Sequence, residues 1–249
     1  MNPFEAHGIA HLSPSSLNLF ATQPSLFVMQ KLLGKRGHVG CAAHRGTAAE
    51  AGIVHGLLNP DATIEACQAL ALADYDRLSI MSGDPRRDKE RDAVPPIVAT
   101  AIPELRQYGI PDGVQLRVDR QLEGVPVPLL GYIDVRWSQH GITLDIKSQL
   151  RLSSEISDSH ARQVSLYVHS TNDEGRIAYC TPNKIGVYRL VDAAKHISDL
   201  TNIALRLQAF LSFSADPMVL AAAVVPDLTH YFWSDPHTRA MGREIFGFA

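Results

Sequence analysis

Hydrophobic positions along the chain fall into two regimes. Up to about residue 110 they recur at helical spacing. Ser13-Pro14-Ser15-Ser16 supplies helix start signals ahead of Leu17, Leu19, Phe20, Leu26, Phe27, Leu32 and Leu33, which predicts two short amphipathic helices broken near Pro24. Arg45 to Leu58 and Ala62 to Leu78 predict two more, with Ile53, Val54, Leu57 and Leu58 on the first and Ile64, Leu70 and Leu78 on the second. The alternating charges of Ser82 to Asp92 predict a solvated loop, after which Pro95-Pro96 opens a helix through Leu105.

From Val114 the period shortens to two. Val114 to Leu122, Pro126 to Trp137 and Ile142 to Ser148 predict three consecutive antiparallel strands, separated by Glu123-Gly124-Val125 and Ser138-Gln139-His140-Gly141. Ser157 to His169 predicts a helix. Arg176 to Thr181 and Ile185 to Leu190 predict a second hairpin around Pro182-Asn183-Lys184. Asp192 to Phe210 is strongly amphipathic, and a tail punctuated by Pro217, Pro226 and Pro236 follows. This order predicts an α/β fold with a central mixed sheet flanked by helices. No linker interrupts it, so residues 1–249 read as one domain: a helical part to about 110, a sheet core over about 111–191 and C-terminal helices over about 192–249.

Composition narrows the class. With 249 residues, 45% apolar and 20% charged, the chain can bury a core and is not disordered. Its longest unbroken apolar run, Met218 to Val225, is far short of the ~20 residues that span a membrane. Met1-Asn2-Pro3-Phe4-Glu5 offers no secretory signal. Cys41, Cys67 and Cys180 are scattered, which gives neither a disulfide framework nor a CxxC pair and fits the cytoplasm. The net charge of −3 argues against a generally basic coat. Residues 1–48 nevertheless carry Lys31, Lys35, Arg36 and Arg45 against Glu5, a local +3 that could guide a polyanion. No HExxH, GxSxG or GxxxxGK[ST] pattern is present.

The chemistry concentrates in Gly131-Tyr132-Ile133-Asp134 and Leu144-Asp145-Ile146-Lys147. If residues 138–141 form the loop, Trp137 pairs with Ile142 and Asp134 falls opposite Asp145 on one face, with Cβ atoms about 5 Å apart. Facing carboxylates repel unless a cation or a proton sits between them, and a hard divalent cation resolves the conflict. Strand alternation puts Lys147 beside Asp145, while Ile146 points the other way. Two carboxylates, a lysine and a metal suit phosphodiester hydrolysis.

Gly131-x-x-Asp134, Asp145-Ile146-Lys147 and then Gln163-x-x-x-Tyr167 on the next predicted helix resemble the PD-(D/E)xK nucleases, in their RecB-like and lambda-exonuclease-like branch. Arg45-Gly46-Thr47-Ala48-Ala49-Glu50 is similar to that branch's first motif, and Ser13-Pro14-Ser15-Ser16-Leu17 to its Ser-rich entry. Phe232-Trp233-Ser234-Asp235-Pro236 is similar to the endings of phage-encoded members, a weaker likeness.

The resemblance implies a restriction-endonuclease-like core and a DNA exonuclease acting on duplex ends in recombination, repair or phage DNA metabolism. It implies Mg²⁺ or Mn²⁺ held by Glu50, Asp134, Asp145 and the carbonyl of Ile146. Lys147 would orient or deprotonate the attacking water, and Gln163 and Tyr167 would share the helix face that looks onto the site. A single-strand annealing protein is a candidate partner. The position where some relatives begin an iron–sulfur cluster is Gln23, so no cluster is expected. His often stands where this chain has Glu50. His55 lies about 140° further round the helix, so Glu50 is preferred for the metal. Two alternatives stay open: a structure-specific or nicking endonuclease, and a non-catalytic DNA-binding or assembly protein with this fold.

Overall fold

A computed structural model describes residues 2–248. The fold is α/β, with a five-stranded mixed sheet flanked by helices: β1 (Gly113–Arg120), β2 (Leu129–Trp137), β3 (Ile142–Ser148), β4 (Glu174–Cys180) and β5 (Ile185–Arg189), in that spatial order. β2–β3 and β4–β5 are antiparallel hairpins. β3 and β4 run parallel, joined through the helix Asp158–Thr171. The chain divides into two compact units, one of residues 39–118 and 132–193, the other of residues 1–38, 119–131 and 194–249. Among the described residues, no helix is long and apolar enough to cross a membrane.

In the first unit, strand alternation separates two faces of the sheet. Val135 and Trp137 of β2, Ile142, Leu144 and Ile146 of β3, and Ala178 and Cys180 of β4 join one apolar cluster with the helices Cys41–Leu58, Ile64–Ser79 and Val94–Leu105. Burial of such side chains is worth about 1.5–3 kcal/mol each before the entropy cost of folding. These helices pack closely because Gly52 has no side chain. A Cβ there would stand 2.8 Å from both the Ala71 Cβ and the Cys67 carbonyl oxygen. The helix Asp158–Thr171 lies against β4 at another such point, where a Cβ on Gly175 would meet Val168 and Val164 at 2.5–2.6 Å. Ser157 caps its start, its hydroxyl accepting from the His160 amide, and Asn172 ends it in the left-handed region at φ 60.

In the second unit a one-turn helix, Pro3–Ala6, precedes the expected pair of short helices, Pro14–Thr22 and Pro24–Phe27, with Gln23 at the break and a π-helical turn, Val28–Leu32, after it. Leu26, Met29 and Trp233 form a small core there with Leu228, Met241, Ile245 and Phe246. The Trp233 indole donates to Gln23 Oε1 at 3.1 Å.

One sequence expectation is corrected. Ser82 to Asp92 is not simply a solvated loop: Arg87–Asp92 is helical and Glu90 is only 4% exposed. Glu90 points inward because Arg45, on the helix Cys41–Leu58, meets it in a buried ion pair. The alternating signs of the segment conceal that inward acid.

Candidate active site

The β2–β3 hairpin adopts the register that the four-residue turn implies. Trp137 pairs with Ile142, Arg136 with Thr143 and Val135 with Leu144, which brings Asp134 and Asp145 to the end of the paired register as the next residue on each strand. Ser138–His140 make the turn and Gly141 closes it at φ 61, a left-handed conformation that costs glycine little. Asp134 Oδ2 accepts the Ile146 amide at 2.7 Å, which ties the two strands together at the carboxylates. So Ile146 serves the site through its N–H, while its side chain lies in the core.

Asp145 is completely buried. Its Oδ1 accepts from Gln163 Nε2 at 2.9 Å and from the Tyr167 hydroxyl at 3.5 Å. Gln163 also donates to that hydroxyl at 2.8 Å, so the two residues form one bracket on Asp145. They share a helix face because they are four residues apart. Lys147 Nζ stands 2.6 Å from Asp145 Oδ2, a buried ion pair that occupies the carboxylate's second oxygen.

Glu50 reaches the same place. Gln115 Nε2 donates both to Glu50 Oε1 and, at 3.4 Å, to Asp134 Oδ1. The Glu50 helix is anchored by Arg45, which donates to the Ser148 carbonyl at 3.2 Å and to its hydroxyl at 3.3 Å, one residue beyond Lys147. His55 is not brought to the site: its ring and carbonyl face Asn59 at the end of the helix.

The electrostatics follow from crowding acids into a poorly solvated spot. Burial, then the charges of Asp145 and Glu50, push the Asp134 carboxyl well above its ordinary range. Burial chiefly raises Glu50 as well, with Asp145 adding to it and Lys147 and Gln115 opposing. Burial works against the Lys147 charge, but Asp145 and Asp134 outweigh it and hold the ammonium above its usual pKa. Lys147 is therefore a cation at neutral pH.

Two residues join the site without a sequence signal strong enough to single them out. Gln115 is one. His160 is the other, one turn before Gln163 on the same helix. Its Nδ1 lies 2.8 Å from the Tyr179 hydroxyl, and burial, then Lys147, lowers its pKa. The spacing His160, Gln163, Tyr167 is the face that could have found it.

Among the described residues, no group of three or more His, Cys, Asp or Glu side chains is placed to hold a metal ion. Nitrogen donors from Ile146, Gln163, Gln115 and Lys147 meet the carboxylates instead. The donor set nonetheless fits a hard cation in its chemistry. Three carboxylates, Glu50, Asp134 and Asp145, crowd together closely enough that Asp145 raises the proton affinity of both others, which is the all-oxygen donor chemistry a hard cation takes.

A stability prediction follows. An acid raised by folding is stabilising only while protonated, so its contribution is present below the ordinary carboxylate pKa and is lost as pH rises through the raised value. Asp134→Asn removes that loss and keeps an acceptor for Ile146. Without added metal it is expected to melt several degrees above wild type at neutral pH, at about 2–4 °C per kcal/mol for a chain of this size. The difference should close toward pH 4. Melting curves across pH test this, and a variant less stable than wild type at pH 7.5 contradicts it.

No protein-family model matches the chain, and no curated protein does. Among solved structures, one described as "Crystal structure of SSO0001" is similar over 74% of this chain and 87% of its own, at 15% identity and a TM-score of 0.36. So distant a likeness bears on neither fold nor chemistry.

Proposed function

We propose that this chain is a metal-dependent deoxyribonuclease of the PD-(D/E)xK kind, RecB-like or lambda-exonuclease-like, that hydrolyses phosphodiester bonds at duplex DNA ends in a bacterial or phage-infected cytoplasm. The observation that carries this reading is Asp134 and Asp145 brought together at the end of the β2–β3 register, with Lys147 on Asp145 and Gln163 and Tyr167 bracketing it. Glu50, Asp134 and Asp145, with the Ile146 carbonyl, would hold Mg²⁺ or Mn²⁺, whose charge would stabilise the phosphate oxygens. Gln163 and Tyr167 fix the Asp145 carboxylate so that it does not have to reorganise. Lys147 would orient or deprotonate the attacking water and stabilise phosphate charge.

The test is incubation of the full chain with linear and covalently closed circular duplex DNA, with Mg²⁺ or Mn²⁺ and with EDTA. Metal-dependent loss of linear DNA from its ends supports the exonuclease. Cutting of closed circles supports the endonuclease alternative. Nitrogen donors on the carboxylates favour a second reading, a non-catalytic DNA-binding or assembly protein. Absence of cleavage of any DNA with either metal would sink the enzymatic reading in favour of that one.

A further inference from the structure

Gln115 is anomalous on two counts. It sits within β1 at φ 48, one of three non-glycine residues in the left-handed region among those described. Asn172 and Asp192 are of the short polar type that tolerates this region; glutamine is not, so its backbone is strained. The side chain accounts for the conformation. Its single amide nitrogen has two hydrogens, directed to Glu50 Oε1 and Asp134 Oδ1, on two different elements. A neutral amide thus bridges two acids that otherwise repel.

Glu50 and Asp134 are also two of the carboxylates that would hold a hard divalent cation. We propose that Gln115 is a latch on the carboxylates: it holds them together by itself and must swing away before a divalent cation can bridge them, so it sets the affinity for that cation. This rests on the metal-dependent reading above and adds to it a positioning residue. The latch is suited to release. Gln115 is solvent-exposed, so its amide can turn outward into water and recover its hydrogen bonds there. Asp145, closed in by Gln163, Tyr167 and Lys147, has no such freedom.

Titration of the full chain with Mn²⁺ alone, followed by calorimetry or electron paramagnetic resonance, tests the latch. Gln115→Gly removes the amide and accepts φ 48 without strain. Gln115→Asn keeps an amide and tolerates the backbone, but is one methylene too short to bridge. Both are expected to bind Mn²⁺ about tenfold more tightly than wild type, the scale of hydrogen bonds to charged groups that no longer need breaking. Gln115→Glu, which adds a carboxylate, should gain at least as much. A merely structural role would not tighten binding in the Gly or the Asn variant. Equal or weaker binding by the Gly and Asn variants, with wild-type binding abolished by Asp134→Asn, overturns the latch and leaves the metal site standing. Mn²⁺ binding that ignores Asp134→Asn, or none in any variant, overturns the metal reading and the latch together.

Discussion

Replacing Asp145 by asparagine is expected to cut metal-dependent DNA cleavage by about 10³-fold or more while leaving the chain folded. The substitution is nearly isosteric in a position with no solvent exposure. Its side-chain oxygen still accepts from Gln163 and Tyr167, so the bracket on the helix survives. What disappears is one charge: the partner that Lys147 meets at 2.6 Å and the carboxylate that raises both Asp134 and Glu50. Stability is expected to fall, because the Asn amide then meets the Lys147 ammonium donor to donor, and relief of like-charge repulsion on Asp134 and Glu50 offsets only part of that loss. Catalysis has no such offset, since positive charge can be gathered at the site only against carboxylates. Single-turnover cleavage of a labelled linear duplex measures the effect, and a melting curve of the same sample shows that the fold is intact. Retained cleavage within tenfold of wild type would remove Asp145 from the chemistry and with it the proposed site.

The parts of this site that were legible in the sequence are those fixed by local geometry. A four-residue turn ending in Gly141 leaves one good register for β2 and β3, and that register determines which carboxylates come together. The spacing of Gln163 and Tyr167 makes a shared helix face legible, but that this face looks onto the carboxylates, like the part of Glu50, was implied only by the family resemblance. Gln115 was not legible, since a lone glutamine in an alternating strand looks like any solvent-facing polar residue, and its partners Glu50 and Asp134 are distant in sequence. Glu90 was not, for the same reason in reverse: an inward acid within a run of alternating charges has the pattern of a solvated face until Arg45 is seen beside it. Nor were the two compact units, whose boundaries fall inside β1 and β2, where no change of composition marks them.

That Arg45–Glu90 pair carries the second large effect. Arg45→Ala is expected to destabilise the protein by about 3–5 kcal/mol, the usual consequence of leaving one buried charge without its partner. For a chain of this length that lowers Tm by roughly 6–20 °C. The side chains are 8% and 5% exposed, so water cannot replace the lost contact at the surface. The guanidinium also donates to the Ser148 carbonyl and hydroxyl, at the end of the strand that carries Asp145 and Lys147. Arg45 therefore fixes where the Glu50 helix sits relative to β3, and cleavage should fall along with stability. Arg45→Met combined with Glu90→Leu separates the two roles. Removing both charges into apolar surroundings of similar volume should recover most of the lost stability. It should not recover cleavage, because nothing then ties the helix to Ser148. Urea unfolding and cleavage rates of the single and double variants measure both quantities. An Arg45→Ala variant within about 1 kcal/mol of wild type would mean that the pair behaves as an exposed one, and that packing around Gly52 and Ala49, not the arginine, positions Glu50.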